Sequence, residues 1–304
     1  MSENISENNI SKNNPDYIMK PKVDFAFKEL MADKIVRIGF IAAVLAVPAG
    51  NIRSAVILNV ELQRTHPEDK PGILDVRVCL NDETEIDIEI QINPLSLWAD
   101  RSLFYLSKMY AAQISIGDSY RLLKKCISIS ILDFRLFADS GEFYSCFHIR
   151  EDTRHTLYTD KMEFHVIELP KLPEEGKEDS SDLLLWAKFL NAERKEEFEM
   201  LAEKNKAIAK AYERLQVMSQ DKQKRMEYEA REKALRDHNE MMLEATERGI
   251  AQGIEIGKAE GRAEGIEIGK LEAAKELLAS GVDEETVMKS LKLSDSQIRT
   301  LKES

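Results

Sequence analysis

The sequence predicts an α/β protein: a mixed-sheet core followed by a long helical C-terminal extension. Between Ile73 and Gln91, ILDVRVCLNDETEIDIEIQ, two short runs alternate apolar and polar residues around Asn81-Asp82, the period-two signature of strands joined by a turn. Three more strand-like runs, Cys126 to Phe134, Glu142 to Arg150 and Met162 to Leu169, follow a segment of helical spacing from about Leu97 to Ile116. Beyond residue 180 no Gly or Pro occurs until glycines recur every fourth residue from Gly249 to Gly269, so the last third of the chain reads as helix.

Composition bounds the rest. The chain has 304 residues, 43% hydrophobic and 32% charged, enough for one sizeable core and a less globular extension. A net charge of -12 excludes a protein that coats DNA non-specifically, because neutralising phosphates needs an excess of Lys and Arg. Any DNA contact is expected to be local and salt-sensitive. Cys79, Cys126 and Cys146 lack metal-ligand spacing, and the first two lie in apolar runs, so buried free thiols and a reducing cytoplasm are expected.

Residues 1–18 contain no apolar block; they read as a disordered tail, not a signal peptide. A core helix is expected from near Asp24. Its apolar run Ile38 to Val47, closed by Pro48, falls well short of the roughly 20 residues that span a bilayer, so no membrane segment is expected. Ile52 to Val60 reads as a strand and Gln63 to Gly72 as a polar loop, in which His66 is an ordinary loop histidine. After the Ile73–Gln91 hairpin and the break at Asn93-Pro94, a helix is expected from about Leu97 to Ile116, with Trp98, Leu103, Leu106 and Tyr110 as its apolar stripe. The runs Glu142 to Arg150 and Met162 to Leu169 are expected to pair as a hairpin. His148, His155 and His165 do not make a metal trio by spacing.

The expected organisation is a core domain over 19–170, a linker over 171–179, a helical region over 180–246, a glycine-repeat helix over 247–270 and a small helical cap over 271–304. Ser180 or Ser181 is placed to cap the first helix after the linker. Sparse apolar positions such as Ile208, Tyr212, Leu215 and Met218, then Met226, Leu235, Met241 and Met242, suit helix-on-helix packing. The glycine row admits two readings: a groove where a second helix packs closely, giving a homodimer, or a glycine-softened linker. In the cap, Asp283 and Ser294 fit N-caps, and the acidic opening Asp283-Glu284-Glu285 suits a helical cap better than a DNA-reading motif.

Candidate chemistry concentrates in the hairpin. Side chains two apart share a strand face, so Glu85, Asp87, Glu89 and Gln91 project together while Ile86, Ile88 and Ile90 enter a core. A hairpin brings Asp75 beside Glu89, giving two carboxylates suited to a hard divalent cation, with Gln91 one step along. The same alternation also describes an ordinary half-exposed antiparallel strand with a solvated face. Acids crowded on one face repel one another, which favours a cation or a basic partner over empty solvent.

The pattern D…ExQ, Asp75 with Glu89 and Gln91, resembles the PD-(D/E)xK nuclease superfamily in a variant where Gln replaces Lys. More narrowly, Asp24-Phe25-Ala26-Phe27-Lys28, the helix bearing Arg101, Tyr105, Tyr110 and Gln113, the Gly117 and Tyr120 pair, the Trp186, Phe189, Leu190 segment and the glycine-punctuated tail together resemble the Rpn family of recombination-promoting nucleases, also described as transposases. The resemblance covers nearly the whole chain beyond residue 18. It implies a restriction-endonuclease-like core and a Mg²⁺- or Mn²⁺-dependent DNA endonuclease linked to recombination or mobile elements. Asp75 and Glu89 would bind the metal with the Ile90 carbonyl as a third ligand, Gln91 would orient a water, and Asp24 would complete the site unless it serves as a helix N-cap. Arg101 is placed to reach a phosphate, or else a surface carboxylate; Lys108, Lys124 and Lys125 are further candidate DNA contacts. Because Gln cannot carry the positive charge of Lys, the resemblance also admits a weak or inactive nuclease fold acting as a DNA-binding or protein-interaction module.

Overall fold

The computed structural model describes residues 17–62, 72–95, 97–174, 181–294 and 297–299. The expectations for residues 1–16, for most of the loop containing His66 and for most of the linker before Ser181 fall outside these. The described residues form two compact units, divided between Leu235 and Arg236.

The first unit is built on a six-stranded mixed sheet. Its strands are β1 (Ala55–Ile57), β4 (Val76–Leu80), β5 (Thr84–Gln91), β6 (Lys125–Leu132), β7 (Tyr144–Arg150) and β8 (Leu157–Glu168), in the spatial order β1-β4-β5-β6-β8-β7. A separate two-stranded ribbon pairs β2 (Glu61–Leu62) with β3 (Gly72–Ile73). β5, β6 and β8 run parallel, whereas β1–β4, β4–β5 and β7–β8 are antiparallel. The crossover from β5 to β6 carries α3 (Trp98–Ala111), as a parallel connection requires.

One face of the sheet is apolar along β4, β5 and most of β6, and turns polar towards β8 and β7, where Glu163 and His165 share it. Val76, Val78, Ile86, Ile88, Ile90, Ile127, Ile129, Ile131 and Ile167 all join the main core. Against it pack α1 (Asp24–Ala32) and α2 (Lys34–Val44), where a single helix was expected. The break is Asp33, whose carboxylate accepts from the backbone amides of Ile35 and Val36 and so caps a new helix. The expected strand Ile52–Val60 shortens to Ala55–Ile57: Ile52 closes a 3₁₀ turn, and Asn59 Oδ1 accepts from the Glu61 amide, turning the chain away.

The helical region beyond the linker belongs to this same core, a difference from the expected boundary at 170. α4 (Asp182–Asn191), α5 (Lys195–Lys204) and α6 (Lys206–Gln220) contribute Trp186, Phe189, Phe198, Ile208 and Leu215, all at most 1% exposed. Aromatic rings link them: Trp186 meets Phe40 of α2 edge to face, Phe189 meets Phe198 in the same way, and Phe198 stacks on Tyr212. Ser181, Arg194 with Glu197, and Asn205 cap the three helices, so polar caps divide a stretch without Gly or Pro. Gly39 lets α2 approach α6 closely, since a Cβ there would overlap the Ala207 Cβ.

The opposite face of the sheet is covered by α3. Its buried stripe is Trp98, Tyr105, Leu106 and Met109; Leu103, expected inside, is 51% exposed, and the helix ends at Ala111 rather than Ile116. Gln113 marks that end, accepting from the Lys124 amide at 2.6 Å and donating to Cys126 Sγ. Cys126 is buried, Cys79 partly so and Cys146 exposed, all as free thiols.

From Lys222 a single helix, α7, continues to Ala279. Tyr228 in its first turns is buried in the first unit and its hydroxyl accepts from the Lys20 amide. In the second unit the glycine row lies wholly within α7, and Cβ atoms built at Gly249 through Gly269 meet nothing within 4 Å. Met241, Met242, Ile250, Ile254, Ile266 and Ile268 on this helix are all at least half exposed. Gly281 (φ +90°) ends the segment, and Asp283 caps α8 (Glu284–Leu291), whose Val287 is buried like Ala274. Among the described residues no helix is long and apolar enough to cross a membrane.

Candidate metal centre

The Asn81–Glu83 turn sets the geometry of the acidic residues. Asn81 and Asp82 take positive φ values of 52° and 62°, which these side chains tolerate, and Asn81 Oδ1 accepts from the amides of Arg53 and Ser54. The resulting register sets Val76 opposite Ile88 and Arg77 opposite Asp87. Asp75, one residue outside β4, therefore arrives beside Glu89. Its Oδ2 accepts from the Ile90 amide at 3.3 Å. An extended strand turns both backbone groups of a residue to the same edge, so the Ile90 carbonyl faces that edge too.

The acids are not on a solvated face. Asp87 is 1% and Glu89 4% exposed, because β5 is central and α3 lies over this side. Two cations reach them. Lys28 Nζ from α1 lies 2.8 Å from Asp75 Oδ1 and 3.7 Å from Asp24 Oδ2; Arg101 from α3 lies 3.4 Å from Glu89 Oε2, with its guanidinium over the rings of Trp98 and Tyr105. Glu89 Oε1 and Asp87 Oδ1 are buried with no hydrogen-bond partner.

That imbalance moves protons. Burial first, then the charge of Asp75, pushes the Glu89 carboxyl up to about 7, opposed by Arg101 and Lys28. Burial, Glu89 and Asp75 together hold Asp87 well above the usual carboxylate range, against Arg101 and Arg77. A buried carboxylate oxygen without a donor, facing a second carboxylate, is the chemistry that a hard, oxygen-seeking cation satisfies, so the residues fit a divalent metal.

The structure brings Asp75, Glu89, Ile90, Asp24 and Arg101 together. Asp24 stands at the first position of α1 and caps nothing; the capping position is Val23. Gln91 sits one alternation beyond Glu89, and its amide donates to the Asn93 carbonyl at 3.3 Å. Lys124 and Lys125 stay apart, at the Thr84 end of β5, about 16 Å along the strand from Glu89. Lys124 donates to the Asp82 carbonyl, and Lys125 pairs with Glu163 on the isoleucine face. Lys108 stands near the end of α3 with its ammonium 5.9 Å from the Phe104 ring centroid.

Lys28 is the site group that sequence spacing left without a role. Its signal was its place four residues after Asp24, which puts both on one helical face. Glu29, the other acid of this helix, turns away to Lys224.

Comparison with known proteins gives one result. No curated protein and no solved structure matches the chain. The family described as PD-(D/E)XK nuclease family transposase does match, over residues 21–245, a span that holds the mixed sheet, the Asp75–Glu89 pair and α1 to α6. PD-(D/E)XK nucleases generally use divalent metal ions, in keeping with the donors found here. Since the match covers well over half of the sequence and agrees in fold with the resemblance carried by Asp75, Glu89 and Gln91, this chain belongs to the PD-(D/E)XK nuclease family of transposases.

Proposed function

We propose that the protein is a Mg²⁺- or Mn²⁺-dependent DNA endonuclease acting in recombination or the movement of mobile elements. The observation that carries this reading is Glu89 Oε1, a buried carboxylate oxygen with no partner, set against Asp75 by strand register. Asp75, Glu89 and the Ile90 carbonyl are the ligands. A divalent cation held there would acidify a water and offset negative charge gathering on the phosphate.

The chain's own residues have separate tasks. Lys28 supplies a positive charge beside Asp75, which Gln91 cannot supply, and Asp24 positions that ammonium. Gln91 orients the attacking water through its amide. Arg101, wedged between Trp98 and Tyr105, can turn from Glu89 to a DNA phosphate once a metal neutralises the carboxylate. Lys108, Lys124 and Lys125 would contact the backbone farther from the cut. The exposed glycine row and isoleucines of α7 support pairing with a second copy of the chain, which would place two such centres in one particle.

A second reading rests on the two ion pairs, which already balance part of the charge of Asp75 and Glu89: a nuclease-like fold retained as a DNA-binding or protein-interaction module. Incubating the purified protein with DNA and Mg²⁺ or Mn²⁺, beside Glu89→Ala, separates the two. The endonuclease reading expects cutting that requires the cation and disappears in the variant. Binding without cutting supports the module, and equal cutting by both proteins removes Glu89 from the site.

A further inference from the structure

A second constellation lies on the other face of the sheet. Alternation along β7 turns Cys146 and His148 to the isoleucine side, and the β7–β8 ladder sets His148 directly opposite Glu163 and Cys146 opposite His165. Glu89 on β5, with Asp75 just ahead of β4, projects from the reverse side of the sheet, and β6 lies between β5 and β8. We propose that Cys146, His148 and Glu163 form a second metal site, for a borderline-soft divalent ion of the Zn²⁺ type, with the fourth position left to water.

The donor atoms are already gathered. One atom from each residue can be chosen so that all lie within 4.8 Å of one another. Cys146 Sγ is 3.9 Å from His148 Nδ1 and 4.0 Å from Glu163 Oε1, and His148 Nε2 is 3.3 Å from Glu163 Oε2. Tetrahedral bonds of about 2.3 Å to sulfur and about 2.0 Å to nitrogen or oxygen place ligand atoms roughly 3.5 Å apart, so closure needs shifts of well under about 1 Å for the sulfur contacts and a choice of one imidazole nitrogen. A thiolate and an imidazole also select against Mg²⁺ and Ca²⁺, which take oxygen ligands.

The surroundings are those of a held ligand. His165 Nε2 lies 2.7 Å from Glu163 Oε1, and the Tyr144 hydroxyl 2.7 Å from His165 Nδ1, so the carboxylate is fixed by a chain of two buried or half-buried groups. Such outer partners orient metal ligands. Lys125 also pairs with Glu163, and loading exchanges that ammonium for the metal while the Cys146 thiol proton passes to solvent. Immediately beyond His148 the ladder slips its register, a bulge that frees the ring to re-aim. β7 is the edge strand and Cys146 is exposed, which gives the ion a path in.

The test uses the full chain stripped of metal by a chelator and titrated with Co²⁺ as a coloured stand-in for Zn²⁺. The expected result is about one equivalent of Co²⁺ with a thiolate charge-transfer band, bleached by one equivalent of Zn²⁺. Asp75→Asn keeps the band, which separates this site from the Asp75–Glu89 centre; Cys146→Ser loses it. His148→Ala, a second variant should the first fold poorly, weakens Co²⁺ binding by roughly tenfold or more. Absence of the band in folded wild-type protein overturns the proposal, as does a band that persists undiminished in Cys146→Ser.

Discussion

At Glu89, burial and the neighbouring Asp75 push the carboxyl up to about 7 from the ordinary glutamate value of 4.5. Between those two values the folded chain holds a proton that the unfolded chain has released, so metal-free stability falls as pH rises across the window and levels off above it. Glu89→Gln removes the charge without changing volume. It should flatten this part of the profile and stabilise the metal-free protein at pH 8 by about 1–3 kcal/mol, because a buried charge that Arg101 compensates only in part is lost. Thermal melts in chelator at pH 5 and pH 8 check both; a variant less stable than wild type at pH 8 would contradict the account. Gln91→Lys should retain or raise cleavage if Gln91 orients water, whereas complete loss would point to a steric limit at that position. Much of this was legible, because period-two alternation and an Asn-Asp turn fix a register by themselves. Burial of Asp87 and Glu89 was not, since it depends on α3 packing on β6 over that face of the sheet. The Cys146–His148–Glu163 cluster hid for a similar reason: the Cys-x-His spacing is visible, but its carboxylate partner sits on the next strand.

Among the elements, α2 and α6 meet at Gly39 and Ala207, an approach only glycine permits. Gly39→Ala raises intrinsic helix propensity yet forces two backbones apart, and overpacking of this kind costs about 1–3 kcal/mol. Denaturant unfolding should show that loss, while an unchanged midpoint would mean that α6 is not part of the nuclease core. Trp186→Ala should cost more, about 3–5 kcal/mol, as a cavity between Phe40 and Phe189. The apolar faces of these helices could be read from spacing. Their breaks at Asp33, Asn205 and Asp221 could not, because a single Asn or Asp within helical spacing is equally compatible with a solvent-facing interior position until its side chain is seen to accept backbone amides.

For the whole molecule, the glycines of α7 set helix cost against close pairing. Each Gly→Ala change favours the isolated helix by roughly 1 kcal/mol, but a methyl group at the crossing point holds a partner helix away. Gly257→Ala/Gly261→Ala should therefore raise helicity and lower the mass seen by light scattering, whereas higher helicity at constant mass would refute pairing through this row. The central claim is that Asp75 and Glu89, joined by strand register under α3, hold a divalent cation. Titration calorimetry with Mg²⁺ tests it most directly, since that ion takes oxygen ligands and bypasses the thiol-containing cluster. The account predicts saturable binding to the wild-type chain that is lost in both Asp75→Asn and Glu89→Gln, with each variant folded by circular dichroism. Mg²⁺ binding of unchanged affinity in either variant would contradict it.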